Sequence, residues 1–168
     1  MVDELPPQSP APAGRFAGRQ AFAQLLRDGL ALAVQQGWRE LVFCDPDFAD
    51  WPLHERQTLE SLTAWARSGR QFRMFANQYD SLIRRHARFV TWRRTWGHII
   101  DCRVCRQIDP VNFPTALWSP HWAIQCLDPV RRSGVFGSEP DRLVHMREMF
   151  DALHRASSPG FPSTTLGL

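Results

Sequence analysis

Ten arginines fall between residues 67 and 106, against two carboxylates, Asp80 and Asp101. Five of them, Arg84, Arg85, Arg88, Arg93 and Arg94, share one stretch with Trp92 and Trp96. A basic surface interleaved with aromatic rings suits phosphates, nucleic acid or an acidic partner. The same pattern describes a solvated helix face whose long stems cover apolar surface. All 20 cationic side chains of the chain are arginine, and lysine is absent. Schiff-base, pyridoxal and phosphate-loop-lysine chemistries all need an ε-amine, so they are excluded. Asp45, Asp47 and Asp50 crowd the end of an apolar run, where open α/β sheets bind ligands. That spacing fits a divalent cation, but a turn followed by a helix cap is the favoured reading. Cys102 and Cys105 form one C-x-x-C, but residues three apart on a strand face opposite sides and no second pair exists. No metal site and no cofactor is expected from them.

The run His121-Trp122-Ala123-Ile124-Gln125-Cys126-Leu127-Asp128, followed by Gly137-Ser138, resembles the signature of the phospholipase D superfamily. That signature has His, then Lys two positions on, then Asp five further, then a Gly-Ser pair. Here Ala123 occupies the lysine position. The resemblance implies that His121 would be the nucleophile toward phosphorus, with Asp128 and Ser138 completing a vestigial or weak catalytic set. It also implies a homodimer, because single-half members pair two subunits so that the motifs meet, which puts His121 near the two-fold axis. The chain further resembles bacterial phospholipase-D-like domains, some attached to acetyltransferases.

The alanine matters because the family's lysines hold the oxygens on which charge develops in the transition state. Each lost charged hydrogen bond is worth roughly 1.5–3 kcal/mol. Two such losses at a symmetric site amount to about 3–6 kcal/mol, on the order of 10²–10⁴ in rate. Arg131 and Arg132 are the nearest candidates to bind phosphate instead, although a planar guanidinium does not occupy an ammonium's place. A non-catalytic domain with a binding or regulatory role is therefore the leading expectation. A weak phosphodiesterase or phosphatidyl-transfer enzyme is the first alternative. A nucleic-acid-binding module acting through the arginines of residues 80–96 is the second. Read without the resemblance, His121 suits a strand start, Asp128 before Pro129 a turn, and Gly137-Ser138 the entry to a helix.

The elements that must position these residues alternate along the chain. Phe22, Leu25, Leu26, Leu30 and Ala33 recur at helical spacing, and Gly37 stops them, predicting a helix over 17–36. Leu41–Cys44 reads as a strand buried on both faces. Asp50-Trp51-Pro52 is expected to open a helix that Gly69 ends. A strand over 72–76, a helix over 80–96 and a strand over 99–104 follow. Two more strands, 122–127 and 134–137, are joined by Asp128-Pro129, and a last helix covers about 140–155. The order predicts an α/β domain resembling one phospholipase-D-like half, with a mixed, mostly parallel sheet flanked by helices.

With 168 residues, 43% of them apolar and 22% charged, the chain has enough material for one cored domain. Residues 1–14, holding four prolines, are expected to be a disordered tail, 15–156 the domain, and 157–168 a second tail from which Phe161 and Leu166 dock back. No stretch reaches the roughly 18 apolar residues a membrane span needs, and Met1–Pro7 lacks the basic and apolar regions of a secretory signal. The expected location is cytoplasmic, with reduced cysteines.

Overall fold

The computed structural model describes residues 11–161. Along the chain run β1 (Gly14–Ala17), α1 (Arg19–Gln36), β2 (Glu40–Cys44), α2 (Arg56–Ala66), β3 (Gln71–Ala76), α3 (Asp80–Arg85), α4 (Ala87–Thr95) and β4 (Ile100–Val104). Then follow β5 (Thr115–Trp118), β6 (Ala123–Asp128), β7 (Ser133–Gly137), α5 (Pro140–Ala156) and the two-residue β8 (Ser158–Pro159).

Alternation with period two builds the core. Leu41 and Phe43 of β2, Phe72 and Met74 of β3, Leu117 of β5 and Ile124 of β6 face the side covered by α1, α2 and α4. Val42 and Cys44, Phe75, Ala116 and Trp118, and Ala123 face the other side, under Leu143, Met146, Phe150 and Leu153 of α5. One eight-stranded sheet in the order β1-β7-β6-β5-β2-β3-β4-β8 thus lies between a multi-helix layer and a single helix. This is a mixed α/β fold with helices on both faces of one sheet.

Parallel pairing is confined to β2–β3 and β3–β4. The other five junctions are antiparallel. The parallel share is smaller than the alternating pattern suggests, because three short strands are invisible to it. β1 follows a proline-rich stretch, β5 is four residues between Pro114 and Pro120, and β8 is too short to show a period. Gly14, expected in the first tail, already belongs to β1, and residues 1–10 lie outside the described residues. Phe161 docks as expected, its ring stacked 5.3 Å from Tyr79, while Leu166 lies outside the described residues.

α1 ends as its glycine predicts. Gly37 is left-handed at φ 65°, its N–H donates to Val34 O, and Trp38 N–H donates to Ala33 O. α2 starts five residues later than Trp51. The intervening turn places the Trp51 indole in the core, 4.9 Å from both Phe43 and Phe48. Helix 80–96 is in fact two, α3 and α4, broken at His86 with φ −124° and ψ 60°. The His86 ring is buried and its Nε2 donates to Phe48 O at 2.9 Å. Burial holds this imidazole below its usual pKa, against the opposing pull of the Phe48 carbonyl. Gly29 lets α1 approach the sheet, since a Cβ there would lie 2.8 Å from the Trp122 ring. Among the described residues no helix is long and apolar enough to cross a membrane.

Candidate functional site

β6 carries the motif residues and separates them. Ala123 pairs with Trp118 and Gly137, whereas Asp128 pairs with Ser133. His121 and Ser138 therefore sit at one end of the strand, and Asp128 and Arg131 at the other. At about 3.3 Å per residue, the five strand steps from Ala123 to Asp128 alone span roughly 17 Å. The far end, with Asp128, lies at the carboxyl end of β2, because β5 runs antiparallel from Ala116 opposite Cys44.

At the near end, Ser119 is wholly buried and organises the turn into β6. Its hydroxyl accepts from the backbone N–H of His121 (3.1 Å) and of Trp122 (3.0 Å), and donates to Trp122 O. This ordered turn leaves the His121 side chain exposed, and among the described residues its ring makes no hydrogen bond. Ala123 is 1% exposed and belongs to the apolar layer of Trp118, Leu143, Met146 and Phe150. A cationic side chain at that position would enter packing and not a cleft. Ser138 is exposed just before Glu139 and the N-terminal Pro140 of α5.

At the far end, Asp128 closes the β6–β7 hairpin by accepting the N–H groups of Val130 and Arg131, both at 3.1 Å. Arg131 is exposed, its Nε 3.9 Å from Asp128. Arg132 is engaged in a different way. Its guanidinium lies 3.2 Å from Asp45 and 3.3 Å from Asp50, over the Phe22 ring. Burial works against its charge, but the two carboxylates outweigh that and raise its pKa further. Asp45 is fully buried and fully partnered: Thr115 Oγ1 donates to it at 2.7 Å, and the backbone N–H groups of Phe48 and Asp47 donate at 2.8 and 3.2 Å. Asp47 accepts from Ala49 N–H, and Asp50 also meets Arg19 at 3.9 Å. The three aspartates thus serve a turn and an ion-pair cluster. Among the described residues no group of three metal-ligating side chains exists. Thr115 escapes a reading of the sequence, since a lone threonine after a proline carries no signal.

The arginine-rich stretch divides too. Arg84, Arg85, Arg88 and Arg94 are exposed, but Arg93 is buried, its Nη2 3.4 Å from Phe161 O and its guanidinium 5.8 Å from that ring's centre. Trp92 is buried and Trp96 half-buried, so the indoles are packing groups and not a stacking platform. Cys102 joins the core under the helices and Cys105 the layer under α5, on opposite sheet faces as their spacing requires. Burial pushes the Cys102 thiol up to about 12, with Arg93 opposing.

No protein-family model matches the chain, and no curated protein matches it in sequence. Its fold is similar to that of TrmBL2, an archaeal chromatin protein with a novel mode of DNA binding, at a TM-score of 0.65 and 10% identity over 95% of this chain and 57% of that one. The chain thus spans little more than half of TrmBL2. It is also similar to Nuc from Salmonella typhimurium, a phospholipase D family member, at a TM-score of 0.57 and 9% identity over 89% of this chain and 99% of that one. At such identities the likeness concerns the fold.

Proposed function

We propose that the chain is a non-catalytic binding domain built on a phospholipase-D-like fold. The observation that carries this reading is the burial of Ala123. The residue sits where the family signature has its phosphate-holding lysine, and its side chain is packed beneath α5 among Trp118, Leu143 and Met146. Two further facts support it. Asp128 is committed to a hairpin turn at the opposite end of β6 from His121, and Arg132, the cation nearest in sequence after Arg131, is held by Asp45 and Asp50. An exposed imidazole whose partner position in the signature holds a buried alanine instead of a lysine lacks the electrostatic stabilisation that this residue would supply to phosphoryl transfer. The test is hydrolysis of bis-p-nitrophenyl phosphate, phosphatidylcholine and DNA by the wild type and by His121→Ala. No difference between the two proteins is expected for any substrate, and turnover that His121→Ala abolishes would overturn the reading.

A second reading, nucleic-acid binding, draws on the exposed Arg84, Arg85, Arg88 and Arg94 and on the DNA-binding character of TrmBL2. Affinity for duplex DNA would then fall steeply with salt, because bound counterions are released. Absence of binding at low salt would remove it. Pairing of two copies at the His121 end belongs to the first reading, and a strict monomer in sedimentation at tens of micromolar would remove that element of it.

A further inference from the structure

A groove of about 720 Å³ runs between α2 and α4, on the helical face of the sheet. Its floor is apolar, formed by Leu59, Ala64 and Trp92, and its rim carries Arg56 and Arg67 from α2 and Arg88 from α4. Glu60 is the one carboxylate among its lining residues. All three rim arginines are exposed, and among the described residues Arg56 and Arg67 lie within ion-pair distance of no carboxylate. Arg88 donates to the carbonyl of His54 at 2.6 Å, which holds its guanidinium at the groove's edge.

These features restrict what fits. Leu59 and Trp92 offer a layer with no backbone donors or acceptors, so an occupant must satisfy its own peptide groups. A helix does this, and helix-in-groove docking is a recurring mode of peptide recognition. Arg56 opens α2 and Arg67 follows its last residue, eleven positions on, which at 1.5 Å per residue places the two charges about 16 Å apart along the groove. A nucleic acid would leave the apolar floor uncovered. We infer that the α2–α4 groove docks an amphipathic, acidic helix of about three turns from a protein partner, its apolar face on Leu59, Ala64 and Trp92 and its terminal carboxylates on Arg56 and Arg67. Complementarity of charge sets register and orientation, while the apolar floor supplies the affinity.

The inference goes beyond the proposed function and is separable from it, because neither His121 nor Ala123 lines the groove. The probe is a fluorescein-labelled, hydrocarbon-stapled 14-residue peptide with Leu and Phe at i, i+3, i+4 and i+7 and Glu eleven residues apart, read by anisotropy against the full chain. Saturable binding is expected. Arg56→Glu with Arg67→Glu should weaken it at least tenfold, and Ala64→Phe, which fills the floor, should weaken it similarly. Both variants should keep the wild-type melting temperature. The rim pair is exposed and not expected to disturb folding, so it decides the matter should Ala64→Phe unfold. Equal binding by a peptide with its apolar residues scattered around the helix would overturn the inference. So would duplex DNA that binds through the same arginines while the peptide does not, or self-association of the chain that the rim reversals abolish. Phosphodiester turnover measured on the same samples reports on the proposed function alone.

Discussion

Replacing Ala123 by lysine writes the family's missing residue back into the chain, and the structure predicts that it fails. The side chain is 1% exposed in the layer of Trp118, Leu143, Met146 and Phe150. Forcing a longer chain into a filled layer costs about 1–3 kcal/mol. The ammonium adds more: keeping the amine neutral at pH 7, against an ordinary value near 10.4, costs roughly 4–5 kcal/mol. The total, about 5–8 kcal/mol, is comparable to the whole stability of an ordinary domain, about 5–15 kcal/mol. Ala123→Met separates the two contributions, since it carries the length without the charge and should lose only about 1–3 kcal/mol. Urea unfolding followed by tryptophan fluorescence measures both variants. The sign of the pH dependence follows from linkage: the buried amine's pKa is depressed, so the penalty is greatest at neutral pH and lifts as pH rises toward 10.4. Ala123→Lys should therefore recover part of its loss at pH 10, and Ala123→Met should not. A variant as stable as the wild type at pH 7, with new phosphodiesterase activity dependent on His121, would refute the reasoning by showing that the lysine reaches open space beside the imidazole.

Two further predictions concern groups that hold the site's surroundings. Arg132→Met leaves Asp45 buried with one charged partner fewer; because Thr115 and two backbone N–H groups stay, the loss should be near the low end of a broken buried pair, about 3 kcal/mol. Arg132 is already at φ 50°, a strain methionine would share, so a loss under about 1 kcal/mol in urea titration would show that the pair is not what holds Asp45. His86 is held below its usual pKa of 6.5 by burial, and the His54 ring stacked 5.6 Å away and nearby Arg85 oppose its charging further. Its contribution to stability is present above pH 6.5 and is lost as pH falls toward the lower native value. Thermal melts between pH 7.5 and 5.5 should therefore fall more for the wild type than for His86→Gln, and parallel curves would contradict this.

Much of the architecture is legible in the sequence because the central strands are short apolar runs set between helical stripes. Leu41, Val42, Phe43 and Cys44 announce a strand buried on both faces, and the helical stripe ending at Gly37 marks α1 with its cap. What escapes is what only tertiary contacts decide. β1, β5 and β8 are too short to show a period and exist because the neighbouring β7, β2 and β4 offer unpaired edges. The break falls at His86, whose ring bonds to Phe48, 38 residues away and outside any local window. At the site, spacing in sequence suggests one cluster, but strand geometry stretches His121 and Asp128 to opposite ends of β6. Arginines adjacent in sequence part in the same way: Arg93 is buried beneath Phe161 while Arg94 stays in solvent.

The central claim is that the His121 end of β6 holds no oxyanion. The most direct measurement follows the imidazole Cε1–H resonances while orthovanadate, a mimic of the pentacoordinate phosphoryl transition state, is titrated. His121 is expected to respond no more than the other exposed imidazoles, His54, His98 and His145. A saturable shift confined to His121 would contradict it.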